Sequence, residues 1–375
     1  MSSTIKSLKV TYNENGDRNT FTGGDNLTGN VTLEVSKDCE VEYLYVKFKG
    51  KAEVLWTERH GKTTVTYHSK DKYFSIRHYF IRDKNNSGDD DQSLLKNHNG
   101  ETYSNVLPVG IHVYPFSFQF PLQDMPSSFK GSAGKVVYLL ETKLSRSMRF
   151  STTDTIKIPY VTQCAPNIMH ELMAPQHECK DKKMSLFNSG TVAMDVNLEK
   201  TGFFQGEGLK IVAFIQNNSS REIKPKYCIY RKHSFFARGK RRLDTKDLIK
   251  EVGEPLAPST NQTVTRVITI PHDVDPSILN CSILKAEYRL RVYLDVKYAS
   301  DPEIKFPITI LPAPQVSAMA PSLPDASAGF EFGAFGSQNL PMWSTVPPSQ
   351  SFNPPPPYEA HGTYPTLTDF GGKYQ

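Results

Sequence analysis

The sequence predicts an all-β chain: two tandem immunoglobulin-like β-sandwich domains followed by a disordered, proline-rich C-terminal tail. Three observations carry that reading. Through the first 311 residues apolar and polar side chains alternate with a period of two, broken by clusters of Gly, Asn, Asp and Pro, as antiparallel strands with one buried face require. Convincing helix signatures are missing from the same region. From Pro312 onward, 64 residues hold 12 of the 26 prolines and only five charged residues, too little periodic hydrophobicity to offset the entropy of ordering.

The elements follow in chain order. Alternation predicts strands over 27–35, 44–54, 114–120 and 136–144 in a first domain spanning 1–163, and over 211–216 in a second domain spanning 184–311. Between them, 164–183 loses alternation and gathers prolines and charges, the composition of a linker. The clearest strand is "KAEYRLRVYLDVKY". Ala286, Tyr288, Leu290, Val292, Leu294, Val296 and Tyr298 fall on one side, and Glu287, Arg289, Arg291, Asp295 and Lys297 on the other. Short strands with one apolar face must bury it against a second sheet, and the length calls for two such sandwiches. "FTGGDNLTGNVTLEV" (21–35) and "FFQGEGLKIVAFIQN" (203–217) both run aromatic, Gly, acidic residue, spacer, Leu, then strand, an echo that points to duplication. The 64-residue tail spans 312–375.

The net charge is +5, and because the tail holds one lysine against four acidic residues, the first 311 residues carry +8. Such a field favours anionic partners without choosing one. Five scattered cysteines fit reduced thiols better than a disulfide framework. The Met-Ser-Ser-Thr start has no apolar signal region and no run reaches the length of a membrane span, so a cytoplasmic or membrane-peripheral location is expected.

Three segments carry a family resemblance: "LPVGIHVYPFSFQFPL" (107–122), "SSFKGSAGKVVYLLETKLSR" (127–146) and "DPSILNCSILKAEYRLRVYLDV" (275–296). They closely resemble the arrestin N-like and C-like domains of the α-arrestins, or arrestin domain-containing proteins, arrestin domain-containing protein 3-like members among them. The resemblance implies two arrestin sandwiches and a flexible tail bearing PPxY motifs, in adaptors that link membrane-protein cargo to ubiquitin ligases. Two departures stand out. The tail holds a single PPxY motif where the family often carries two, and the interval 229–280 has no cysteine, although one branch binds thioredoxin through a cysteine placed there. The proline-rich tail also offers no equivalent of the acidic tail that closes visual-type arrestins.

The most specific functional feature is Pro355-Pro356-Pro357-Tyr358, a complete PPxY motif of the class that WW domains bind. Proline fixes φ and favours the polyproline II helix, so the ligand is ordered before it binds; the Tyr358 ring can then enter an aromatic groove with its hydroxyl hydrogen-bonded. The plain alternative is a stiff spacer, which needs no tyrosine at that register. The expected partner is a WW-domain HECT-type E3 ubiquitin ligase. Tyr364 and Leu367 fit the tyrosine-x-x-apolar pattern of clathrin-adaptor sorting signals, a loose pattern that recurs by chance. The stretch "YRKHSFFARGKRRLDTK" places Arg231, Lys232, Arg238, Lys240, Arg241 and Arg242 around two phenylalanines. It suits anionic lipid or acidic cargo, or equally a solvated hairpin that protects an edge strand.

Other chemistry is not expected. Cys164, His170, His177 and Cys179 offer ligand atoms, but their spacing matches none of the common zinc patterns. "GSAGK" (131–135) lacks the spacing of a phosphate loop and precedes a strand, so it reads as a hairpin turn. No nucleophile elbow, catalytic metal motif, cofactor site or nucleic-acid motif is present, and the sequence supports no enzymatic role.

Overall fold

A computed structural model of the chain describes residues 4–16, 19–82, 92–183, 190–296 and 300–314. The first half runs β1 (Ile5–Tyr12), β2 (Asn26–Val35), β3 (Cys39–Glu40), β4 (Tyr43–His60), β5 (Thr63–Arg82), β6 (Gln92–Leu94), β7 (Val106–Leu107), β8 (Gly110–Gln119), β9 (Phe129–Lys130), β10 (Gly134–Ser145) and β11 (Thr152–Ile158). One sheet is ordered β1-β2-β8; a larger one is ordered β11-β10-β4-β5-β6, with β9 added against β10. Period-two alternation decides what the sheets bury. Leu27, Val31 and Leu33 of β2 and Leu44, Val46 and Phe48 of β4 are fully covered and share one core.

The second half begins with α1 (Pro166–Leu172) and continues through β12 (Gln176–Lys183), β13 (Gly190–Leu198), β14 (Gly202–Phe204), β15 (Gly208–Ser219), β16 (Ile223–Ala237), β17 (Lys240–Val252), β18 (Thr260–Thr269), β19 (Leu284–Val296) and β20 (Glu303–Leu311). Its sheets are ordered β12-β13-β15-β18 and β14-β20-β19-β16-β17, and a second core lies between them. The strand at 286–296 buries Ala286, Tyr288, Leu290, Val292, Leu294 and Val296, the face that alternation assigns to the core.

The sequence echo is a repeated structural device. In the first half Asp25 accepts from the Thr22 amide at 2.8 Å, and in the second Glu207 accepts from the Phe204 amide at 2.7 Å. The acidic residue also closes each turn through its own amide, which donates to the carbonyl three residues back. In both halves the aromatic residue ahead of the turn lies parallel to the domain's last segment: Phe21 bridges to Tyr160, and Phe203 pairs with Ile310. A carboxylate that accepts a backbone N–H fixes the entry into the strand that follows the turn, β2 in one half and β15 in the other, which explains the shared residue order.

Three differences from the sequence expectation bear on the fold. The segment 164–183, which reads as a linker, holds α1 and the strand β12, which pairs with β13 from Gln176–Leu198 to Lys183–Thr191. The strand was hidden because its side chains are almost all exposed, and an unburied edge strand has no alternation to display. The helix is short, starts at a proline and has no side-chain cap, so it shows neither a cap nor a long periodic face. It holds through Leu172, whose side chain packs where a Cβ on Gly202 would otherwise sit 2.7 Å away. Strand β5, 20 residues long, also went unread: register shifts against β4 at Leu44/Tyr45 and Gly50/Lys51 interrupt its period. The "GSAGK" segment is a hairpin turn between β9 and β10, closed by the Gly131 amide donating to the Gly134 carbonyl at 2.8 Å.

Candidate partner-binding surfaces and the junction between the halves

The PPxY residues Pro355, Pro356, Pro357 and Tyr358, and the sorting-signal residues Tyr364 and Leu367, lie outside the described residues. The structured surfaces are built from the two halves and from how they meet.

The basic stretch forms the tip of the β16–β17 hairpin, with the turn at Arg238 and Gly239 taking positive φ of 50° and 71°. Its six cations divide into two groups. Arg231 pairs with Asp244 at 3.6 Å, Lys232 pairs with Glu287 at 3.3 Å, and the Arg241 guanidinium donates to Ser234 Oγ at 2.8 Å while lying over the Phe236 ring. Arg238, Lys240 and Arg242 remain exposed around the turn.

Of the two phenylalanines, Phe235 is completely buried, and it packs into the core formed mainly by the first half of the chain. Together with Ala237, Ile278, Leu284 and Ala286 it belongs to the core of the first sandwich, so the hydrophobic core runs across the junction. The fit is close. A Cβ on Gly131 would lie 2.9 Å from the Phe235 ring and one on Gly134 2.8 Å from it, so the β9–β10 turn is made of glycine where Phe235 enters. Polar contacts surround this anchor. Ser132 Oγ donates to Asp244 at 3.0 Å, Asn280 Nδ2 to Asp124 at 2.7 Å, Ser282 Oγ to Asp71 at 2.8 Å, and the Tyr73 hydroxyl to Cys281 Sγ at 3.3 Å.

His233 sits within this junction, 1 % exposed, with its ring edge-on to Phe129 at 5.0 Å and no hydrogen-bond partner for either nitrogen. Burial first, and then the neighbouring Arg231 charge, push its pKa down to about 4, against a smaller opposing pull from Asp244. The histidine is therefore neutral at physiological pH. Sequence reading missed this junction, because charge dominates the stretch that contains Phe235 and His233; the one available signal was two aromatic residues and a histidine at adjacent positions of an alternating strand.

The four candidate metal ligands do not converge. Cys164 precedes α1, His170 lies within it, His177 bonds Asp195 at 2.8 Å on β12, and Cys179 is exposed. Among the described residues no group of three or more His, Cys, Asp or Glu side chains is placed to hold a metal ion, and no helix is long and apolar enough to cross a membrane.

Comparison with known proteins finds an arrestin domain in each half. Residues 10–162 match the family described as arrestin (or S-antigen), N-terminal domain, and residues 188–315 match arrestin (or S-antigen), C-terminal domain. The chain is 26 % identical over 315 residues to arrestin domain-containing protein 4 of Mus musculus, covering 82 % of this chain and 72 % of that protein. It is 27 % identical over 315 residues to the Homo sapiens protein of that name, covering 82 % and 71 %. It is 26 % identical over 308 residues to thioredoxin-interacting protein of Homo sapiens, covering 82 % and 74 %.

Proposed function

From a chain that belongs to the arrestin family, in its α-arrestin branch, we propose a non-enzymatic adaptor that links membrane-protein cargo to a WW-domain HECT-type E3 ubiquitin ligase. The two sandwiches hold the cytoplasmic region of a receptor or transporter, and Tyr358 with its prolines holds the ligase. Ubiquitin then passes to the cargo or to the adaptor's own lysines, and the cargo is sorted by endocytosis into endosomes. The protein acts peripherally at the plasma membrane and endosomes, with clathrin adaptors reading Tyr364 and Leu367. We extend the assignment within the branch to arrestin domain-containing protein 3-like members.

The observation that carries this reading is the complete PPxY motif at 355–358 behind two arrestin domains. Adaptors work by proximity: two partners on one scaffold meet at an effective concentration set by the tether rather than by bulk solution. A single short motif binds at about micromolar or weaker, roughly −7 to −8 kcal/mol, so a second contact must complete recruitment. Pull-down of the full chain on isolated WW domains tests the ligase arm. Wild type is expected to be retained and Tyr358→Ala lost; equal retention of both, or retention of neither, would sink the adaptor reading, the latter leaving the tail a spacer and favouring an arrestin-fold coat subunit of the retromer kind.

The thioredoxin-interacting relative raises thioredoxin capture as a second reading. No cysteine lies in 229–280, and the two that flank it, Cys228 and Cys281, are buried. Burial raises the Cys228 pKa, with Asp247 adding to it, which keeps that thiol protonated and unreactive. Mass spectrometry for a mixed disulfide under oxidising conditions separates this reading from the adaptor.

A further inference from the structure

We propose that the outer face of the first sandwich's larger sheet docks onto an anionic lipid bilayer. The face is fixed by alternation. In β4 the inward residues Val46, Phe48, Ala52 and Val54 are fully buried, so Tyr45, Lys47, Lys49, Lys51 and Glu53 point the other way. Cross-strand register brings further cations onto that side. Lys47 lies opposite Arg77, Lys51 opposite Lys72, Glu53 between Lys70 and Lys135, and Tyr45 between Tyr79 and Lys143.

The two carboxylates on this face are already engaged. Glu141 holds Lys49 at 2.6 Å, and Glu53 holds Lys51 at 2.7 Å with Lys135 at 3.6 Å. Among the described residues, Lys47, Lys70, Lys72, Arg77 and Lys143 have no carboxylate partner. The Arg77 guanidinium lies 4.6 Å over the Tyr45 ring and donates to the Tyr79 hydroxyl at 3.0 Å, while its Nε is buried without a partner. Burial first, and then the adjacent Arg77 and Lys49 charges, lower the Lys47 pKa against an opposing pull from Glu141, its cross-strand neighbour. Five cations without a carboxylate contact therefore share one face of a single sheet.

Shape and hydrophobicity choose the bilayer over an acidic peptide. The cations spread over roughly 10 Å across β10, β4 and β5 and about 27 Å along β4, an open sheet face rather than a groove. At one end of the same sheet, the turn joining β10 to β11 presents Met148 and Phe150 fully exposed, with Arg146 and Arg149 beside them. Apolar side chains beside basic ones let a peripheral surface insert while its charges meet headgroups. At the β16–β17 hairpin half of the cations are engaged, Phe235 is buried, and Leu243 is the exposed large apolar side chain beside the remaining charges, against two on the β10–β11 turn. The proposal is independent of the ligase arm, since vesicle binding requires no WW domain.

Co-sedimentation of the full chain with phosphatidylcholine vesicles containing about 30 % phosphatidylserine tests it. Wild type is expected to bind in about 0.1 M salt, to release in about 0.5 M, and to ignore pure phosphatidylcholine. Lys47→Gln/Lys72→Gln/Lys143→Gln should weaken binding about a hundredfold, and Met148→Ser/Phe150→Ser, which leaves the sheet untouched, about tenfold. Arg238→Gln/Lys240→Gln/Arg242→Gln should stay within about threefold of wild type. Failure of wild type to bind, wild-type binding by both face variants, or an equal loss in the hairpin variant would overturn the proposal. Capture of a phosphorylated acidic peptide on this face without vesicle binding would also overturn it, in favour of a peptide partner.

Discussion

Phe235→Ala is expected to destabilise the folded chain by about 3–5 kcal/mol, measured by urea or guanidinium unfolding of the full chain. The side chain is fully buried, comes from the second half and packs into the core of the first. Truncation removes its apolar area and leaves a cavity that cannot collapse. The ring's neighbours, Val54, Leu284 and the glycine turn at 131–134, sit on hydrogen-bonded strands that cannot move inward without breaking register. Phe236→Ala is the internal comparison. Phe236 is only partly buried, beneath Arg241, and its loss should cost about 1 kcal/mol. Equal effects at the two positions would mean that Phe235 does not anchor the junction.

Acid is expected to weaken the same junction before the carboxylates titrate. The His233 pKa is depressed in the folded state, to about 4, so below the ordinary value of 6.5 the unfolded chain binds the extra proton more readily than the native one. Stability is therefore full above pH ~6.5, falls as pH drops through the window from ~6.5 to about 4, and loses about 3 kcal/mol by its lower end. His78, stacked on Phe118 at 4.4 Å, has its pKa lowered by burial and adds a loss of the same sign. Glu53, which its Lys51 hydrogen bond first and foremost holds at about 2, acts only at lower pH. The groups facing His233 set the expectation: Arg231 opposes a second positive charge, Asp244 offsets it in part, and Phe129 and Phe235 offer no acceptor. In His233→Leu the fall in unfolding free energy between pH 6.5 and 4 should be shallower than in wild type. An unchanged slope would place the acid sensitivity elsewhere.

Much of the fold was legible because single-faced strands write their burial into the sequence. The strand at 286–296 and the repeated turns at Asp25 and Glu207 could be read directly, one from its alternation and the others from a shared residue order. What could not be read depends on partners far away in the chain. Arg231 and Lys232 looked like free charge because Asp244 and Glu287 reach them only through strand pairing, and Phe235 looked like a surface aromatic because its pocket lies about 100 residues earlier, at Gly131 and Gly134. The cationic sheet face was invisible for the same reason. Its charges are spread over β4, β5 and β10, and only the register of the sheet gathers them. The WW ligand is the opposite case: its recognition is local, four residues in one extended stretch, so the sequence alone displays it.

The central claim, that Tyr358 brings a ligase to an arrestin scaffold, is tested most directly by reconstituted ubiquitin transfer to the full chain. With activating and conjugating enzymes and a WW-containing HECT ligase, the adaptor account predicts ubiquitin on the wild-type chain's lysines and its loss in Tyr358→Ala. Equal modification of the two proteins, or none of wild type, would contradict it.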